Sequence, residues 1–309
     1  MSAGLVIPGP SEWVSEPEPV RAISFGDLLE GHLARAKELA EARRSGRRPG
    51  PTTGFAGLDA MLGGWQRPGL YALHAEGGVG KSALLLQMAV DSGFGALYVS
   101  AEMPAEVLFR RHLARANRVN SEILGAGTLD EERERAFAEA GVLQAMKLRI
   151  LDGTEQAVTP SDISREVRHL RGEYGHVMVV VDSIQPWCES NGAELGLSEY
   201  DSIARGIAAL RRLATATQSP VWFLSERNKT AREGMGAMAG HRRLAHGPDV
   251  VMELVPESDE EAYARGHFGD VQTVTLKVNK NRNGRRGVLK YTLTGGIQEF
   301  AEQRWGQAR

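Results

Sequence analysis

The sequence predicts an α/β fold in which a mostly parallel central sheet is flanked by helices. Three observations carry that expectation. Short apolar runs alternate with segments whose apolar residues recur every three or four positions. One run, Val177-Met-Val-Val-Val181, is apolar throughout, as a strand covered on both faces should be. A glycine-rich stretch at 75–82 lies between a strand-like and a helix-like segment.

Taken in order, residues 1–22 contain four prolines and an acidic cluster of Glu12, Glu16 and Glu18, and are expected to form a flexible arm. From 23 to 44, Leu28, Leu29, His32, Leu33, Ala36, Leu39 and Ala40 recur at helical spacing, predicting an amphipathic helix of about 20 residues. The basic linker Ser45-Gly-Arg-Arg-Pro-Gly-Pro51 ends it. Such a helix cannot bury its stripe alone and must dock on its own body or on a neighbouring subunit. Residues 51–300 read as one domain and 301–309 as a tail.

Within that domain, 70–74 is a strand running into the glycine loop, and 82–90 is an apolar helix. A strand at 95–100 precedes helices at 105–117 and 131–145, then a strand at 147–151. Residues 160–171 form a helix capped by Ser161 or a neighbour. The 177–181 strand, a long helix at 198–217 and a strand at 221–224 follow. Strands at 250–255, 271–278 and 288–294 close the domain, the last two as antiparallel neighbours.

Composition narrows the function. The chain has 309 residues, 42% of them hydrophobic, with 37 Lys and Arg against 39 Asp and Glu, for a net charge of −2. That balance argues against a protein that binds polyanions through bulk charge. No apolar run is long enough to span a bilayer, and the N-terminus lacks the pattern of a signal peptide, so no membrane association and a cytoplasmic location are expected. The single cysteine, Cys188, excludes an internal disulfide and a cysteine-clustered zinc site.

The glycine-rich stretch is Ala75, Glu76, Gly77, Gly78, Val79, Gly80, Lys81 and Ser82. Backbone N–H groups in such a loop can all turn toward a phosphate, and glycines permit the tight curl. Lys81 is suited to the β- and γ-phosphates of ATP and the Ser82 hydroxyl to Mg²⁺. Asp182, at the end of the 177–181 strand, fits a carboxylate that orients the same ion, or a turn aspartate ahead of Ser183. Glu102, just past the 95–100 strand, fits a base for an attacking water or an ordinary surface glutamate.

In this order the segments resemble the RecA-type ATPases, and more narrowly the DnaB-type replicative helicases and the RadA/Sms-type branch-migration ATPases. The carriers are the entry segment Pro51-Thr-Thr-Gly-Phe-Ala-Gly-Leu-Asp59, the Ala-first phosphate loop, Ser100-Ala-Glu-Met103, Val181-Asp-Ser-Ile-Gln185, residues 239–253 and Lys280-Asn-Arg-Asn-Gly284. The first helix is similar to the DnaB linker helix, which packs on an adjacent subunit. The resemblance implies a RecA-like P-loop core in which Lys81 and Ser82 serve phosphate and metal, Asp182 orients the metal and Glu102 is the base. It also implies that Lys280 and Arg282 reach the γ-phosphate of a neighbouring subunit. The 280–284 stretch alone also reads as a hairpin turn.

One position departs from the relatives. Glu226 stands where they carry a neutral polar sensor, and a carboxylate near a triphosphate is unfavourable unless Arg227 or another cation neutralises it or it points away. Beyond it, residues 227–243 carry Arg227, Lys229, Arg232, Arg242 and Arg243 against Glu233, a local charge of 5 − 1 = +4. By the resemblance, this segment grips the phosphates of single-stranded DNA in a ring's central channel, with little sequence preference because it holds no aromatic residue.

The function so implied is an ATP- and Mg²⁺-dependent motor, a helicase or branch-migration ATPase, acting on single-stranded DNA in replication, repair or recombination. It would assemble as a hexameric ring and work with loader or replisome proteins. The alternative is a nucleotide-switched or filament-forming ATPase of the RecA or KaiC kind without helicase activity.

Overall fold

The first helix, α1 (Phe25–Arg44), begins at a capping box. The Ser24 hydroxyl accepts the Asp27 N–H at 3.2 Å, and the Asp27 carboxylate accepts the Ser24 N–H at 2.9 Å. Its apolar side chains Phe25, Leu28, Leu29 and Leu33 are all exposed. The computed structural model describes residues 22–124, 126–192, 196–226, 244, 246–257 and 270–303. It divides into two compact units, Met1–Pro49 and Gly50–Arg309.

In the second unit, α2 (Ala56–Met61) leads to β1 (Gly69–Ala75), α3 (Lys81–Asp91), β2 (Gly95–Ser100), α4 (Ala105–Asn117), α5 (Glu131–Gln144) and β3 (Leu148–Asp152). Then come α6 (Pro160–Tyr174), β4 (Val177–Asp182), α7 (Ile184–Gly192), α8 (Glu199–Thr217) and β5 (Pro220–Glu226). The chain closes with β6 (Val250–Pro256), β7 (Val271–Asn281), β8 (Gly287–Thr294) and β9 (Glu299–Glu302). One sheet runs in the order β3-β2-β4-β5-β1-β6-β7-β8-β9. Pairing is parallel from β3 through β6 and antiparallel from β6 to β9.

The two-residue period of the strands divides the core into two layers. Tyr71, Leu73, Tyr98, Val180 and Trp222 point to one face and pack with Leu84, Leu85 and Met88 of α3. Leu70, Ala72, Leu97, Val99, Val179, Val181 and Phe223 point to the other, against α6, α7 and α8. Every residue of β4 is buried, as its unbroken apolar run requires. Each such side chain removed from water contributes roughly 1.5–3 kcal/mol, enough for the central strands to anchor the fold.

The entry segment is tied to this core by a buried polar chain. The Trp222 indole N–H donates to Gln66 Oε1 at 2.6 Å, and Gln66 Nε2 donates to the Thr52 carbonyl at 2.6 Å. Tyr71 stacks on Trp222 with ring centroids 4.8 Å apart.

Several details depart from the sequence reading. Of the residues near Ser161 it is Thr159 that caps α6, through a capping box with Asp162, and the helix runs three residues further than expected, to Tyr174. Three elements were not expected: α2, α7 and β9. α2 has only six residues, α7 carries Pro186 in its first turn, and β9 has four residues. β7 continues to Asn281, so Lys280 is a strand residue and the turn begins after it.

Candidate functional site

The parallel strands end together. Ala75 of β1 is level with Glu226 of β5, and Ser100 of β2 is level with Asp182 of β4. This edge lies beyond the carboxyl ends of adjacent parallel strands, where open α/β sheets bind ligands. The glycine loop leaves β1 here and turns into α3. Gly78 and Gly80 take φ of 80° and 93°, left-handed values that other residues avoid. A side chain on Gly80 would also collide with Leu293 and Phe300, so the loop is buttressed from behind by β8 and β9.

Lys81 opens α3, and its side chain is only 9% exposed. Its ammonium donates to the carbonyls of Ala75 (3.0 Å) and Glu76 (2.8 Å) and lies 4.0 Å from Glu226 Oε1. Burial pulls its pKa down, while the charges of Glu226, Glu102, Asp182 and Glu76 oppose that shift. Glu226 therefore turns toward the loop and finds its cation there.

Asp182 is almost fully buried at the end of β4. Burial raises its pKa, and hydrogen bonds from the hydroxyls of Tyr98 and Ser82 oppose the rise. The Tyr98 hydroxyl donates to Asp182 Oδ2 at 2.6 Å. Glu102 lies two residues past β2 on the same edge, exposed, and its Oε2 accepts the Ser183 hydroxyl at 3.2 Å. Lys81, Ser82, Glu102 and Asp182 thus converge on one edge, although they come from separate segments of the chain.

The donor set suits a hard divalent cation. Ser82 and Asp182 offer oxygen only, the donor type that Mg²⁺ takes from one or two protein groups while phosphates and water complete its shell.

Lys280 and Arg282 lie at the other end of the strands. Asn281 of β7 is level with Val250 of β6, which is level with Tyr71 of β1. Four residue steps lead from Tyr71 to Ala75, so at a rise of about 3.3 Å each the pair stands roughly 13 Å back along the strands from the start of the glycine loop. The Lys280 ammonium donates to the carbonyls of His246 (2.9 Å) and Pro248 (2.6 Å). Arg282 pairs with Asp249 at 2.8 Å. Neither faces the glycine loop of its own chain. The DNA-contact candidates Arg227, Lys229, Arg232, Arg242 and Arg243 lie outside the described residues.

Two functional features escaped sequence reasoning. One is the bond from Tyr98 to Asp182. Its signal was a tyrosine on the same strand face as Ser100, but the partner depends on strand register. The other is the Glu226–Lys81 pair, which depends on the pairing of β1 with β5.

The DnaB-like helicase C-terminal domain family matches residues 50–302 of the chain. The chain is similar to the replicative DNA helicase DnaB of Geobacillus stearothermophilus, 27% identical over 276 residues, which cover 86% of this chain and 60% of the relative. DnaB of Pasteurella multocida (strain Pm70) is 25% identical over 288 residues, 90% of this chain and 61% of the relative. The replicative DNA helicase DnaC of Bacillus subtilis (strain 168) is 27% identical over 275 residues, 86% and 60% of the two chains. This chain thus spans about three fifths of the length of these curated relatives. Among solved structures, an isolated ATPase domain matches with a TM-score of 0.75 at 19% identity, over 91% of this chain and 100% of the other. A DnaB-like replicative helicase, from a study of its interactions with primase, gives 0.72 at 18%, over 92% and 68%. At these identities the structural likeness speaks for the fold alone.

Proposed function

The chain belongs to the DnaB-like helicase C-terminal domain family, and on that premise we propose that it is an ATP-hydrolysing motor that translocates on single-stranded DNA in replication. The observation that carries this reading is the convergence of Lys81, Ser82, Glu102 and Asp182 at the carboxyl ends of adjacent parallel strands.

In this reading the loop N–H groups and Lys81 hold the triphosphate. Ser82 and Asp182 would hold Mg²⁺, which when bound would neutralise charge on the phosphates. Glu102, steadied by the Ser183 hydroxyl, orients a water and takes its proton as that water attacks the γ-phosphate. Lys280 and Arg282, set back from their own loop, serve the γ-phosphate of a neighbouring subunit. Arg227, Lys229, Arg232, Arg242 and Arg243 follow directly on β5 and neutralise the phosphates of the bound strand.

Self-association belongs to the same reading, with a hexameric ring as its form. The exposed apolar side of α1 needs an acceptor, and α4, α5 and β3 frame a groove of about 340 Å³ lined by Leu86, Leu108, Phe109, Val142, Met146 and Ile150. A second copy's α1 is the occupant we assign to it.

The test is ATP turnover with and without single-stranded DNA. Stimulation by DNA is expected, with turnover lost and ATP binding kept in Glu102→Gln. Turnover indifferent to DNA would overturn the motor reading.

A further inference from the structure

An ammonium group has three N–H donors. In Lys81, two of them are spent on the loop's own carbonyls, Ala75 and Glu76, and Glu226 Oε1 stands 4.0 Å from the nitrogen. Among the described residues, Lys81 is the ion-pair partner of Glu226. The same Oε1 lies 3.5 Å from where a side-chain carbon on Gly77 would be, so the carboxylate overhangs the mouth of the loop. A phosphate that binds Lys81 must share this space with a negative charge that already occupies it.

We propose that Glu226 is a built-in competitor with the terminal phosphate of a nucleotide for Lys81, giving way when a triphosphate binds. The inference rests on the nucleotide-binding reading of the site and goes beyond it, because it assigns Glu226 to the balance between triphosphate and diphosphate. Backbone N–H groups of such a loop cradle the α- and β-phosphates and its lysine reaches the β- and γ-phosphates, so the added charge of a triphosphate falls at the lysine that stands beside Glu226. Glu226 therefore weakens triphosphate binding more than diphosphate binding. Its carboxylate is 59% exposed, so the repulsion is screened by salt and the effect is moderate.

Glu226→Gln isolates the charge, since the amide keeps the size and an oxygen that Lys81 can still approach. The experiment is equilibrium binding of a non-hydrolysable ATP analogue and of ADP, each with Mg²⁺ and without DNA, to wild type and Glu226→Gln at about 50 and 500 mM salt. At low salt the analogue should bind the variant about fivefold tighter or more, ADP should change less than about twofold, and the difference should shrink at high salt. An unchanged ratio of analogue to ADP affinity, in a variant that still binds both, overturns the proposal and leaves the nucleotide site standing. Failure of wild type and variant alike to bind either nucleotide overturns the nucleotide reading and this inference with it.

Discussion

The hydroxyl of Tyr98, buried on β2, donates a 2.6 Å hydrogen bond to the carboxylate of Asp182 at the end of β4. Burial and the charge of Asp182 push the phenol's pKa well up, so Tyr98 stays protonated and remains a donor at any working pH. The bond fixes Oδ2 and so sets the direction in which the carboxylate presents its other oxygen.

Tyr98→Phe removes one oxygen from a fully buried ring and should leave the fold intact. A buried hydrogen bond to a charged group contributes about 1.5–3 kcal/mol, so a measurable loss of stability is expected. The functional expectation is more specific. The Mg²⁺ concentration that half-saturates nucleotide binding should rise several-fold, while nucleotide affinity in chelator stays the same. If the Mg²⁺ dependence does not move, Tyr98 only packs.

Arg282 offers a separation of structural from catalytic roles. Its visible partner is Asp249 at 2.8 Å, and half of the arginine side chain is exposed. A pair of this kind contributes about 0–1 kcal/mol, so Arg282→Ala should unfold within a few degrees of wild type. An arginine supplied to a neighbour's γ-phosphate is worth about 10³-fold or more in turnover. A stable Arg282→Ala protein whose ATPase falls at least a hundredfold, and partly recovers on mixing with Glu102→Gln subunits, fits action in trans. Loss without recovery in the mixture counts against it.

Gln66 is fully buried and links the entry segment to the sheet through the Thr52 carbonyl and the Trp222 indole. Gln66→Leu keeps the volume but leaves the buried Trp222 indole N–H without this acceptor, and an unsatisfied buried group costs about 1–3 kcal/mol. Urea unfolding should show a loss in that range or somewhat above it. A change under about 0.5 kcal/mol would mean that water or relaxation replaces both bonds.

What the sequence made legible follows the range of the interactions. The glycine loop and the α1 repeat are local patterns, and Gly80, Lys81 and Leu28 stand where their spacing implied. The 177–181 run disclosed a strand buried on both faces and set Asp182 at its end. Contacts made by strand pairing were not legible. Glu226 meets Lys81 because β5 pairs with β1, across 145 residues of chain, and Tyr98 meets Asp182 because β2 pairs with β4, across 84. Neither register is written in either segment alone. Lys280 illustrates the same limit: its Asn-Gly neighbourhood suggests a turn, but pairing of β7 with β6 carries the strand past it.

His74, the next-to-last residue of β1, makes stability depend on pH between 6.5 and about 4. It is buried edge-to-face against Phe223, and burial, helped by the charge of Lys81, lowers its pKa from 6.5 to about 4. Between those values the unfolded chain binds a proton that the folded chain refuses, so stability falls as pH drops through 6.5 toward 4. At about 1.4 kcal/mol per pH unit, this single histidine can remove up to about 3 kcal/mol across the window, and nothing above pH 7. Histidine and leucine are similar in size, and β1 is apolar here, so His74→Leu should match wild-type stability to within about 1.5 kcal/mol at pH 7.5. The variant should lose most of the decline that wild type shows between pH 6.5 and 4.5. Denaturant unfolding at several pH values measures both slopes directly, and parallel slopes would show that other groups, not His74, govern acid stability.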